Sequence, residues 1–177
     1  DPDVICIRDR HTKLTQEQFE SLARWHAVLG HSVNTSADIG DLNEERLRWW
    51  RWMRPQEKPW TARLPYFGKR CPFRVAVREY PGANGEAVLV LNDGNRREHA
   101  VLRISDLTGQ SRAVVYRWGP TGATKMGARE GVLIELDPHH SQLLFVSRDG
   151  EPPPDDLNLG GSRAGETETH SKDVASA

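Results

Sequence analysis

Cysteine is nearly absent from this sequence of 177 residues, with Cys6 and Cys71 the only two. Cys6 falls inside an apolar run, so two inert buried thiols are expected rather than a disulfide. Neither CxxC nor HExxH spacing occurs, which leaves a zinc site without its ligand pattern, and no metal or cofactor is expected. An excess of charge of one sign is lacking too. With 24 Lys and Arg against 25 Asp and Glu the formal net charge is -1, so no overall field draws the chain to nucleic acid or acidic lipid. No apolar run approaches the length of a membrane span. Aromatic residues stop at Phe145, and the stretch EPPPDDLNLGGSRAGETETHSKDVASA that closes the sequence is rich in proline, glycine, serine and acid. Too little apolar surface is available there to offset ordering entropy, so residues 149–177 are expected to be a disordered tail.

What is present begins at once. Val4, Ile5, Cys6 and Ile7 form the continuous apolar run expected of a strand buried on both faces, preceded by Asp1 and Asp3. A helix start follows: Thr15 as N-cap, Gln18 closing a capping box, and Leu14 placed to staple onto Phe19, with Gly30 as the stop. Phe19, Leu22, Ala23, His26 and Leu29 recur at helical spacing and mark the face turned to a sheet, while Glu17, Glu20 and Arg24 mark the opposite side. Residues 32–36 read as a second short strand, which makes the whole a βαβ step with right-handed crossover.

The segments DPDVICIRD, the threonine-capped helix ending in WHAVLG, and SADIGDL resemble the melibiase, or α-galactosidase, type of glycoside hydrolase. The resemblance covers residues 1–148 and implies an α+β chain: the last two βα units of a (β/α) barrel, followed by an antiparallel β-sandwich and a disordered tail. It implies a barrel fragment over 1–55, a linker over 56–72, the sandwich over 73–148 and the tail over 149–177. It also implies that the carboxylate nucleophile and general acid/base, which in retaining glycosidases stand roughly 5 Å apart across the scissile bond, lie upstream of Asp1, so that no catalytic residue is expected here. Asp3 matches the family's pocket-lining aspartate and Val4 a position where the family often has methionine; both are implied to border the substrate. Asp1, Ser36 and Asp38 match structural positions of the motif. The implied partners are an α-linked glycoside, met through the complete enzyme, and the amino-terminal remainder of the barrel.

Read from the residues themselves, 41–55 is another helix, with Asn43 as N-cap, Glu44 and Glu45 in the first turn and Pro55 after its end. Its LNEERLRWWRWMRP interleaves tryptophan with arginine, a pattern that serves either a basic membrane or nucleic-acid helix or a barrel helix with Leu47, Trp50 and Met53 inward and arginines lying over the other indoles. The acidic first turn and neutral net charge favour the second, so neither nucleic acid nor membrane is an expected partner. Residues 56–72 are irregular and punctuated by proline. From Phe73 the period changes to that of strands: FRVAVREY, EAVLVLND, HAVLRIS, RAVVYRW, GVLIEL and QLLFVS, separated by turn residues, which argues for an antiparallel sandwich. His139 and His140 beside Asp137 and Ser141 read as a turn, since adjacent side chains point apart, and GPTGATKMG reads as a flexible hairpin without phosphate-loop spacing. The competing function is a sandwich that binds carbohydrate or protein without catalysis.

Overall fold

A computed structural model describes residues 4–5, 7–8, 10–29, 34–35, 37–53, 62–80 and 84–154. The βαβ step is there: β1 (Val4–Ile5) pairs in parallel with β2 (Asn34–Thr35), and α1 (Gln16–Leu29) connects them. The capping box forms reciprocally, with the Thr15 amide donating to Gln18 Oε1 at 3.0 Å and the Gln18 amide to Thr15 Oγ1 at 3.2 Å. A 3-10 turn at Ile39–Asp41 leads into α2 (Glu44–Trp52), whose Asn43 cap accepts from the Arg46 amide.

Seven strands follow. They are β3 (Arg74–Tyr80), β4 (Gly85–Leu91), β5 (Glu98–Arg103), β6 (Ala113–Gly119), β7 (Gly122–Arg129), β8 (Gly131–Leu136) and β9 (Ser141–Ser147), with the one-turn α3 (Ile104–Thr108) after β5. Five of them make one antiparallel sheet in the order β3-β4-β9-β6-β7, and β5 pairs with β8 in a separate ribbon. The strand period of two sorts the central sheet into two buried faces. Val75, Val77, Val88, Val90, Leu144 and Val146 pack with Leu102, Ile104, Leu107, Val132 and Ile134 from the ribbon and α3. Ala76, Tyr80, Leu89, Trp118 and Phe145 on the other face pack with Phe19, Ala23, Trp49, Trp52 and Met53 of the two helices. Helices, sheet and ribbon are therefore three layers, and the antiparallel sandwich expected from the alternating pattern is present. Of barrel architecture the described residues contain the one βαβ step.

Several details differ from the sequence reading. The inward side of α2 carries Arg46, Trp49 and Trp52, with Met53 at its C-cap, whereas Leu47 and Trp50 are half-buried. The helix rotates this way because Trp49 and Trp52 join an edge-to-face chain of rings, Phe19 to Trp49 to Trp52 to Trp118, at centroid spacings of 5.4 to 5.9 Å. Arg24 is not on a solvent face. It donates to the Ser141 carbonyl at 3.2 Å and to Ser141 Oγ at 3.1 Å, because the sandwich lies against that side of α1. HAVLRIS stops being strand at Arg103, where α3 starts. The proposed flexible hairpin is the ordered β6–β7 pair, with a bulge in β7 beside Gly127 at φ +92°.

Residues 149–154, expected to open a disordered tail, are placed against the sandwich. Tyr116 donates its hydroxyl to the Gly150 carbonyl at 2.5 Å and Trp118 its indole N–H to the Pro154 carbonyl at 3.2 Å, while Pro153 is buried. Two aromatic donors on one strand face thus hold 150–154 against β6. Residues 155–177 lie outside the described residues, as does Cys6; Cys71 is free and half-buried against the second core.

Candidate functional site

Of the site residues expected from the sequence, Val4 and Asp38 are among the described residues. Val4 takes its place in β1 with Asn34 as its register partner. Asp38 is exposed and caps the 3-10 turn, its Oδ1 accepting from the Gly40 amide at 2.9 Å, a local structural role that keeps the chain turning from β2 into α2. Asp1, Asp3 and Ser36 lie outside the described residues.

How this step is carried is well defined. Ser21, on α1, donates its hydroxyl to the His139 carbonyl at 2.8 Å, and Arg24 reaches Ser141, so both ends of the β8–β9 turn are tied to the helix. Burial pushes the Arg24 guanidinium down, and the Glu20 carboxylate at 2.9 Å pulls it back up. At the far end Arg78, buried on β3, donates Nη1 to the Val28 carbonyl at 3.1 Å and to Ala27 at 3.3 Å. Those carbonyls belong to the last turn of α1, where orphan acceptors and the negative end of the helix dipole favour a cation. Burial lowers the guanidinium to about 10, still far above neutrality, so it stays charged. The helix that connects β1 to β2 is thereby fixed to the sandwich at its middle and at its C-terminal end.

The sequence reading missed the most buried carboxylate among the described residues. Glu86 on β4 accepts from Arg148 Nη2 at 2.6 Å and from Arg63 Nη2 at 3.0 Å, and Arg63 also donates to the Leu107 carbonyl. Paired with two arginines, it is a satisfied ionic clasp that joins β4, an interior strand, to Arg63 and to the chain just after β9, whereas the acid and base of glycoside chemistry need carboxylates facing one open cleft. No local signal reveals it, because Arg63 and Arg148 are remote in sequence. Asn92, fully buried in VLNDGNR, is a second such clasp: its amide donates to the carbonyls of Arg96, Leu136 and Asp137 and so joins the β4–β5 and β8–β9 turns.

His139 adopts φ +63° and sits in the turn read from DPHHSQLL; its carbonyl, not its ring, makes the contact to Ser21. Among the described residues no group of three His, Cys, Asp or Glu is placed to hold a metal. No helix among them is long and apolar enough to cross a membrane. The indoles of Trp49 and Trp52 are buried, and Arg46 lies 3.4 Å over the Phe19 ring, so these groups of the arginine and tryptophan helix are spent on the core.

No protein-family model and no curated protein matches the chain. Solved structures do. The GH27 β-L-arabinopyranosidase of Geobacillus stearothermophilus, solved with arabinose, superposes with TM-score 0.65 at 17% identity over 78% of this chain and 32% of its own. α-Galactosidase I of Mortierella vinacea gives 0.60 at 12% identity, covering 80% of this chain and 38% of that enzyme. The α-galactosidase of Saccharomyces cerevisiae gives 0.56 at 10% identity over 84% and 46%. The chain spans less than half the length of each, and at these identities what is shared is the fold, that of a carboxyl-terminal part of α-galactosidase-type enzymes.

Proposed function

We propose that this chain is the carboxyl-terminal part of an α-galactosidase-like glycoside hydrolase acting on α-linked sugars. The observation that carries the reading is the parallel βαβ step whose helix is fixed at its middle and its C-terminal end to a β-sandwich, in a chain that shares its fold with two α-galactosidases and a GH27 β-L-arabinopyranosidase. In this reading β1 and β2 are the last two strands of a (β/α) barrel, and residues 1–55 supply its closing units. A two-stranded parallel sheet has open edges on both sides, which the amino-terminal remainder of the barrel would pair. The nucleophile and the general acid/base belong to that remainder. Asp3 and Val4 border the sugar, because active sites of such barrels gather at the carboxyl ends of the strands; Asp1, Ser36 and Asp38 shape the turns around it.

The test is hydrolysis of an aryl α-galactoside by the chain alone, by Asp3→Asn, and by each mixed with the amino-terminal remainder. The expected outcome is no turnover by the chain, turnover on reconstitution, and a loss of about tenfold or more in kcat/KM for reconstituted Asp3→Asn, the scale of one lost charge-assisted hydrogen bond. Turnover by the isolated chain, abolished in Asp3→Asn, would show instead that a catalytic carboxylate is in this segment.

A further inference from the structure

Away from β1 and β2, a cleft of about 260 Å³ opens where the amino-terminal halves of α1 and α2 meet the β6–β7 turn. Its size, just below the roughly 300 Å³ at which sites for drug-sized ligands begin, suits one monosaccharide-sized molecule. Its lining is unusual in charge. Glu20 and Glu45 line it, brought together because the side-chain amide of Gln16 donates to both, at 3.2 and 2.6 Å. Arg48, one helical turn on from Glu45, and Arg117 of β6 line it as well, exposed and in no ion pair among the described residues. Arg24, paired with Glu20 at 2.9 Å, also lines the cleft and lies 5.0 Å over the Trp49 ring.

We propose that this cleft binds a sugar acid, a hydroxyl-bearing ring with one carboxylate. Its carboxylate meets the Arg48 and Arg117 guanidiniums, which match a carboxylate's planar fork. Ring hydroxyls donate to Glu20 and Glu45, which as carboxylates can only accept. A simple inorganic anion meets the arginines but lacks the ring hydroxyls that the two glutamates accept from. A neutral sugar satisfies the glutamates and leaves the two arginines without a counter-charge. This reading rests on the cleft alone and needs neither the barrel nor turnover.

The experiment is titration of the full chain, isotopically labelled, with D-glucuronate, D-glucose and inorganic phosphate, following the Trp49 indole N–H by NMR. Glucuronate is expected to shift that resonance saturably, with glucose at least about tenfold weaker and phosphate unable to compete at equal concentration. Arg48→Ala and Arg117→Ala, both at exposed positions, are each expected to weaken glucuronate about tenfold with unchanged far-ultraviolet circular dichroism. Methyl β-D-glucuronoside separates the two sources: binding equal to that of glucuronate assigns a glycan-linked residue, and loss of binding assigns the free acid. No saturable shift, equal affinity for glucose, or equal competition by phosphate would overturn the proposal.

Discussion

At the scale of single residues, two polar groups, Tyr66 half-buried and Arg78 buried, set how this protein responds to change. The Tyr66 hydroxyl donates to Asp106 Oδ2 at 3.0 Å, and its pKa is pushed from 10.0 up to about 12, first by burial and then by that hydrogen bond. The folded chain therefore keeps a proton that the unfolded chain releases near pH 10. Stability from this group is whole below about 10 and is lost as pH rises toward about 12. Urea midpoints measured from pH 9 to 12 should fall less steeply in Tyr66→Phe than in the parent protein; parallel curves would remove Tyr66 from the account. Arg78 acts through geometry instead. Arg78→Ala takes a cation away from the last carbonyls of α1 and leaves a cavity under Tyr80 and Val28, and a loss of about 3 kcal/mol is expected by chemical denaturation. Arg78→Lys should lose less, since it keeps the charge but not the fork.

At the scale of elements, the close pairing of β4 with β9 depends on one missing side chain. A Cβ on Gly85 would meet the Phe145 ring and come within 2.7 Å of the Val146 carbonyl oxygen. Backbone cannot yield cheaply there, because Gly85 is in register with both Tyr80 and Ser147. Gly85→Ala is expected to destabilise by about 2 kcal/mol or more, the scale of overpacking in a close-packed core, whereas Gly119→Ala, with nothing within 4 Å of its added Cβ, should lie within about 0.5 kcal/mol of the parent. Comparing the two by thermal unfolding separates the steric cost from the general cost of substituting a strand glycine.

At the scale of the whole molecule, the first core contains residues of α1 and α2 together with residues of β3, β4, β6 and β9. Helices and sheet cannot separate without exposing Phe19, Trp49, Trp52, Trp118 and Phe145 at once, each worth about 1.5–3 kcal/mol of burial or more. A single calorimetric transition is expected, monitored equally by tryptophan fluorescence and by far-ultraviolet dichroism. Two resolved transitions would mean that the helical segment and the sandwich unfold independently.

What the sequence determined by itself is what depends on near neighbours. The capping box of Thr15 and Gln18, the Asn43 cap, and six of the strands from Phe73 onward are each written within a few residues and form largely as read, whereas β7 was read as a flexible hairpin and HAVLRIS passes into α3 after Arg103. The motif of the βαβ step was legible in the same way, which is why the resemblance to α-galactosidase-type enzymes could be stated from DPDVICIRD, WHAVLG and SADIGDL. What only the tertiary structure decided is everything that joins distant parts. Helical spacing showed that α2 has a buried side, but the sheet's ring of aromatics chose Trp49 and Trp52 over Leu47 and Trp50. Arg24 looked solvent-facing until Ser141, 117 positions away, supplied its acceptors. The clasp of Arg63, Glu86 and Arg148, the seat of residues 150–154 on Tyr116 and Trp118, and the charged cleft between helices and hairpin share that origin. Local propensity carries no information about which side chain will face a partner far along the chain, and packing, which requires every buried polar group to find its complement, settles it.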